Sequence, residues 1–238
     1  MAKKPTISVV TATRDAAAHL PQLIESLRAQ TDRDFEWVVA DGASSDGTMA
    51  LLQSAGGLHA VISSQPDFGI YDALNRAIKL ASGDYYIVAG ADDVFETGAI
   101  ANFRRAIEQS GADIIVARAR YGAKLMKVKR GPVWLYSQFA LIGAHSVATA
   151  FRKDLHRTHG YYTRLYPIAA DQFFVLKACS GGAKRFEADF VAGEIGRGGV
   201  SSTDRIGNAT EVFRVQVALG RSVSVQIVLF LLRLLRAC

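Results

Sequence analysis

The stretch YYIVAGADDVF, residues 85–95, decides the fold. Tyr85, Tyr86, Ile87 and Val88 have the aromatic and β-branched character of a buried strand. The run passes through Ala89, Gly90 and Ala91 and stops at two adjacent carboxylates, Asp92 and Asp93. Two like charges side by side are costly unless something positive sits against them, so the pair points to a bound cation.

Working outward, the same strand-then-helix order precedes this stretch. TISVVTA (6–12) reads as a buried strand, and AHLPQLIESLRAQ (18–30) places Leu20, Leu23, Ile24 and Leu27 on one helical face. FEWVVA (35–40) is a second strand, followed by the turn-rich DGASSDGT (41–48) and a short helix through Leu51 and Leu52. HAVISS (59–64) is a third strand, and YDALNRAIKLA (71–81) a helix closed by Ser82 and Gly83. This β-α-β repetition predicts an α/β fold with a Rossmann-like, mostly parallel sheet flanked by helices.

Composition agrees with a large globular domain: 238 residues, 50% hydrophobic and 21% charged. Cys179 and Cys238 are too few and too far apart for a disulfide framework or a cysteine zinc site, which fits a reducing compartment. The N-terminal run MAKKPTISVV soon meets polar and charged residues and does not read as a secretory signal, so the cytoplasm is expected. The net charge of +6 is unevenly spread: no acidic residue lies between Asp113 and Asp154, an interval holding Lys124, Lys127, Lys129 and Arg130 among its basic residues. A solvated basic face and a binding face fit this equally. No helix-turn-helix, zinc-finger or RRM-like pattern accompanies it, so nucleic acid is not an expected partner.

In α/β sheets ligands bind beyond the carboxyl ends of the strands. Those positions hold Thr11, Thr13, Arg14 and Asp15 after the first strand, Asp41 after the second, Asp67 after the third, and Asp92 and Asp93 after the fourth. A dinucleotide unit needs G-x-G-x-x-G where this chain has TATRDAAAH, and a P-loop motif occurs nowhere. What remains is a nucleotide site that handles phosphate with carboxylates and a divalent ion.

ISVVTATRD (7–15), EWVVADGASSDGT (36–48), DFGIYDALNRAIKLASGDYYIVAGADD (67–93) and AHSVATAFRKDLHRTHGYYTRLYPIAADQFFVLKA (144–178) together resemble the family 2 inverting glycosyltransferases, in order and at similar spacing, over roughly residues 5 to 202. The match is closest to bacterial polysaccharide-type members. The resemblance implies a GT-A fold, a nucleotide-sugar donor with UDP favoured, and Mg²⁺ or Mn²⁺. It implies that Asp41 contacts the nucleobase with Thr11 and Thr13 at the same end, and that Asp92 and Asp93 fall on the metal motif. Gly90 stands where the family has the first Asp of that motif, so either carboxylate is a candidate ligand. Capping of a following helix competes with that role.

The resemblance also makes Asp171 the catalytic base, the carboxylate that takes the proton from the acceptor hydroxyl; a structural N-cap is the competing role. Many members carry Glu-Asp there, and Ala170 occupies the first position. His145 falls where relatives often have His, which implies an acceptor-side or diphosphate role, against a histidine satisfied inside the fold. GEIGRGGVSS (193–202) looks like a segment closing over donor phosphates, with Arg197 as a phosphate partner. Asp72 and Asn75 lie about one turn apart on the third helix and face either the ribose or solvent. Tyr71, Leu74 and Ile78 read as core, and Asp46 before Gly47 and Thr48 as a turn and cap.

The expected organisation is a GT-A domain over 1–203, divided into a nucleotide-sugar half (1–112) and an acceptor half (113–203), and a helical tail over 204–238. SVSVQIVLFLLRLLRAC (222–238) is apolar but too short to span a bilayer comfortably and is interrupted by Arg233 and Arg236. It reads as a helix lying on an anionic membrane surface, where a lipid-linked or glycan acceptor would be met, or as one packed on protein. Because Gly90 and Ala170 each replace a common family carboxylate, a non-catalytic sugar-nucleotide or polysaccharide binding subunit is the second reading.

Overall fold

The computed structural model describes residues 6–198 and 203–237. Strands β1 (Ile7–Thr13), β2 (Phe35–Asp41), β3 (Ala60–Ser64) and β4 (Tyr85–Val88) alternate with helices α1 (Leu20–Arg28), α2 (Thr48–Gln53) and α3 (Ile70–Leu80). β2 and β4 flank β1 in parallel, and β3 runs parallel to β2. The period of two sorts their side chains between two cores: Val9, Trp37 and Ile87 join Leu20 and Leu23 of α1, while Val10, Val38 and Tyr86 join Leu74 and Ile78 of α3. Burial on both faces is why β1, β2 and β4 read as mostly apolar runs, whereas β3, at the sheet edge, is only partly buried.

The second half comprises β5 (Val94–Phe95), α4 (Ala99–Ser110), β6 (Ile114–Tyr121), β7 (Lys124–Met126), α5 (Val133–Tyr136), a 3-10 turn (Ser137–Ala140), β8 (Thr149–Arg152), α6 (Leu155–His159), α7 (Ala170–Ser180) and β9 (Arg185–Glu194). β8 enters antiparallel between β4 and β6, β7 folds back on β6, β5 pairs antiparallel with β9, and β6 and β9 run parallel. The strand order is β3-β2-β1-β4-β8-β6-β9-β5, so the sheet is mixed where a mostly parallel one was expected. Connection length explains the antiparallel β6–β7 pair. A parallel return needs a crossover of about a dozen residues. The turn at Gly122, with φ of 56°, reverses β6 directly into β7.

Two helices close the described chain, α8 (Arg205–Ala218) and α9 (Val223–Ala237). They pack together through Phe213 and Phe230, whose ring centroids lie 5.4 Å apart. The expected tail boundary at 203/204 is crossed by polar bonds: Gln216 Nε2 donates to Ser137 Oγ (2.9 Å) and Gln226 Nε2 to the Trp134 carbonyl (2.9 Å). The opposite face of α9 is open, with Val228, Leu231 and Leu235 at 57%, 54% and 78% exposure. Among the described residues no helix is long and apolar enough to cross a membrane.

Candidate active site

The ends of β1 and β4 open into a cavity of about 1210 Å³ whose walls include Thr13, Arg14, Asp92, Asp93, His145 and Asp171. Among the described residues, Asp15, Ala43 and Val147 in loops and Ser137 at the start of the 3-10 turn are the non-glycine positions with positive φ. Each costs about 1–3 kcal/mol where the surrounding structure holds it, a strain that gathers at functional sites.

The acidic pair is divided by its surroundings. Asp93 is 2% exposed and accepts from the backbone amides of Gly90 (2.6 Å) and Gly196 (2.8 Å). Burial first, and then the Asp92 charge, push its carboxyl up to about 6 against the pull of those hydrogen bonds. Asp92 is more open and accepts from the Gly198 amide (3.0 Å). A Cβ at Gly196 would overlap the Asp92 carboxylate, so the loop after β9 reaches the pair only as glycine. Among the described residues no three or more His, Cys, Asp or Glu side chains form a metal-holding group. Two carboxylates with oxygen-only chemistry nevertheless suit Mg²⁺ or Mn²⁺, which are commonly held by one or two carboxylates and completed by substrate phosphates.

Asp171 occupies the first turn of α7 on the cavity wall. Its Oδ1 shares the Tyr71 Oη proton (2.8 Å) with the Ile168 carbonyl (2.9 Å), and its Oδ2 accepts from Gln138 Nε2 (3.2 Å). Burial, then the charge of Asp171, hold the Tyr71 phenol well above its ordinary range, so it remains a donor. The competing N-cap role is not taken by Asp171: the N-cap of α7 is Ala169, without a side-chain cap bond, and Glu211 Oε2, from α8, accepts from the amides of Ile168 and Ala169 that lead into the helix, both at 2.8 Å. Asp171 is thereby left to the cavity.

His145 Nε2 lies 2.8 Å from Tyr162 Oη, which lies 3.0 Å from Tyr86 Oη. Tyr86 Oη is 2.7 Å from His156 Nε2, and His156 Nδ1 is 3.0 Å from the Gly160 carbonyl. Burial lowers both imidazoles, His156 to about 4.

Several residues expected at the site are not brought to the cavity. Thr11 is fully buried and its Oγ1 accepts from Trp37 Nε1 (3.0 Å), one pleat deeper in the sheet than Thr13, which reaches the cavity at the strand end. Asp41 is also fully buried. Burial raises its carboxyl, and hydrogen bonds from Ser44, Ser64 and Thr13 outweigh this and hold it below the usual range, so it braces the ends of β1, β2 and β3. Asp67 accepts from the Gly69 amide (3.0 Å) at the start of α3. Asp72 pairs with Arg164 (2.7 Å), and Asn75 clamps the backbone of Tyr162 through both ends of its amide (2.8 and 3.0 Å). Arg197 lies over the Gly122 turn, where a Cβ would meet its guanidinium; residues 199–202 of its segment lie outside the described residues, as does Cys238. Asp46 makes the expected turn and not the cap: it accepts from Thr48 N (2.9 Å), two residues on, while Gly47 is the N-cap of α2 and has no side-chain bond. Of the residues read as core, Leu74 and Ile78 are core, whereas Tyr71 holds the candidate base.

Tyr71, Gln138 and Glu211 were not expected at the site, and Gly196 only as part of the 193–202 segment. Of the first three, Glu211 alone carried a signal, as the single carboxylate after Asp204.

Residues 8–163 match the model of glycosyl transferase family 2. A PGL/p-HBAD biosynthesis glycosyltransferase of Mycobacterium bovis is 30% identical over 211 residues, spanning 84% of this chain and 80% of the relative. An uncharacterized glycosyltransferase of Mycobacterium tuberculosis is 33% identical over 186 residues, spanning 75% and 70%. In three dimensions the chain is similar to S. aureus TarS 1-349 in complex with UDP-GlcNAc, with a TM-score of 0.75 at 20% identity over 96% of this chain and 72% of that one. It is also similar to the mannosyltransferase PcManGT from Pyrobaculum calidifontis in complex with GDP-Man and Mn²⁺, with a TM-score of 0.72 at 18% identity over 92% and 65%. These likenesses agree with the mixed α/β sheet and its helices, which are of the GT-A type. The chain belongs to glycosyl transferase family 2.

Proposed function

We propose that this glycosyltransferase moves a sugar from a nucleoside-diphosphate sugar, UDP favoured, to a glycan or lipid-linked acceptor by a single displacement with inversion. The observation that carries the reading is the shared cavity: Asp171, with each oxygen held by a neutral donor, lines the same space as Asp92 and Asp93. The acceptor oxygen attacks the anomeric carbon, the bond to the diphosphate breaks, and the acceptor proton passes to Asp171. Tyr71 and Gln138 fix the direction of the carboxylate. Arg14 and Thr13 are positioned to meet the donor at the end of β1. Asp92, the more open of the pair, would hold Mg²⁺ or Mn²⁺, with Asp93 behind it. Such an ion, when bound, offsets the charge gathering on the departing diphosphate. The TarS complex holds UDP-GlcNAc and the PcManGT complex GDP-Man with Mn²⁺, which supports a nucleotide sugar and a divalent ion for this chain.

Apolar exposure along α9, beside a basic interval that includes Lys124 and Arg130, supports attachment to the inner face of a membrane, where a lipid-linked acceptor of a polysaccharide-type pathway is reached. The alternative of a binding subunit without catalysis predicts the same nucleotide affinity and no turnover. Asp171→Asn decides between them. Transfer should fall by roughly 10²- to 10⁴-fold, as for loss of a general base, with nucleotide affinity unchanged. Transfer at the wild-type rate would remove Asp171 from the chemistry.

A further inference from the structure

The hydrogen bonds running inward from His145 have only one consistent direction. The Gly160 carbonyl can only accept, so His156 Nδ1 carries a proton and donates to it across 3.0 Å. His156 is 3% exposed and burial keeps it neutral, so its Nε2 is bare and accepts from Tyr86 Oη at 2.7 Å. Tyr86 has one proton and has now used it; across 3.0 Å it accepts from Tyr162 Oη. Tyr162, its own proton spent on Tyr86, accepts at 2.8 Å from His145 Nε2–H. Reversing any link would leave two lone pairs facing each other with no proton between them, or a bare His156 Nδ1 against a carbonyl.

From this chain we infer that His145 is locked as the neutral Nε2–H tautomer, and that its Nδ1 is a fixed hydrogen-bond acceptor in the cavity for a sugar hydroxyl. His145 borders the cavity and its bonded nitrogen is Nε2, so Nδ1 is the nitrogen left for a ligand. Asp171 is the charged group that favours protonation of the ring, and burial outweighs it. A neutral acceptor cannot stabilise a diphosphate, which offers only acceptors, whereas a hydroxyl has a proton to give. Tyr162, Tyr86 and His156 are positioning residues in this arrangement, and Tyr86 and His156 act without touching substrate.

The identification of the ligand as a sugar rests on the transferase reading; the tautomer does not, so the two can fail separately. The first measurement is a long-range ¹H–¹⁵N correlation spectrum of ¹⁵N-histidine-labelled protein at neutral pH, with His145 assigned through His145→Gln. The expected pattern is a neutral ring protonated at Nε2. A cationic ring, or one protonated at Nδ1, would overturn the inference without bearing on transfer. In Tyr86→Phe the chain is cut and Tyr162 is free to donate to His145, so the ring should convert to the Nδ1–H form; an unchanged Nε2–H pattern would refute control by the chain. Should that variant fail to fold, the wild-type spectrum still decides the tautomer.

Binding then identifies the hydroxyl, using UDP, UDP-glucose and octyl glucoside with Mn²⁺ present. His145→Ala should weaken UDP-glucose or octyl glucoside by about tenfold, the worth of one hydrogen bond in a dry site, and leave UDP as it was. Loss on UDP-glucose places the hydroxyl on the donor sugar, and loss on octyl glucoside places it on the acceptor. Equal loss on UDP itself, or no loss on any of the three, would overturn the assignment.

Discussion

Replacing Glu211 by Ala tests whether the helices after residue 203 support the reacting end of the fold. Glu211 is 8% exposed and its Oε2 takes both the Ile168 and Ala169 amides at 2.8 Å. Ala169 is fully buried, so its amide cannot turn to water when the carboxylate is removed. A hydrogen bond to a charged group contributes about 1.5–3 kcal/mol, and a buried donor left unpaired costs a similar amount, so the variant should lose about 3 kcal/mol. In a chain of this size that lowers the melting temperature by about 6–12 °C. Glu211→Gln keeps one acceptor oxygen and loses only the charge, for about 1 kcal/mol. Fraying at Ala169 also displaces Asp171 two positions on, and transfer in Glu211→Ala should drop by as much as about 10²-fold while nucleotide affinity holds. Thermal unfolding and steady-state transfer, measured on the same preparations, read the two effects. Melting within about 2 °C of wild type would refute the bracing role.

Chelation should abolish transfer and Mn²⁺ or Mg²⁺ restore it; full transfer in chelator would dismiss the metal role. Asp92→Asn should reduce metal-dependent UDP binding more than Asp93→Asn, because Asp93 is already committed to two backbone amides; calorimetry that ranks them the other way would reverse the assignment. Gly196→Ala should displace the Asp92 carboxylate and weaken Mn²⁺-dependent UDP binding, and unchanged binding would show that the loop does not govern the pair. His156 has its folded pKa lowered to about 4 from 6.5, so the stability it contributes is complete above 6.5 and is lost as pH falls toward 4. The loss is roughly 3 kcal/mol across that window, and urea titrations of His156→Gln should show a flatter profile there. A chain ending at Gly220 should leave the membrane fraction, and equal retention of both forms would argue against attachment through α9.

The parallel half of the sheet was legible because strands buried on both faces leave continuous runs without charge, as WVVA and YYIV do in β2 and β4. The antiparallel half was not, since β5 is two residues long and β7 three, and neither has length enough to show a period. Asp92, Asp93, His145 and Asp171, picked out within the resembling motifs, line one cavity. Thr11 and Asp41 lie off that cavity, because position near a strand end gives closeness to the crevice while depth in the sheet and hydrogen-bond partners decide whether a side chain faces ligand or core. Tyr71 fell on an apolar helical face, where a phenol and a core ring look alike in sequence. Gln138 meets Asp171 across 33 positions, a relation no local pattern records.

The bond from Glu211 to the start of α7 has a further consequence for how such a chain can be recombined. An exchange of C-terminal segments between relatives would look harmless at residue 203, where the catalytic motifs have ended. It would remove the carboxylate that seats α7, along with the Gln216 amide that holds Ser137 beside Gln138. A chimera joined there would inherit a complete set of reacting groups on an unseated frame. A seam that respects the molecule must carry Glu211 and Gln216 with their own α7 and 3-10 turn.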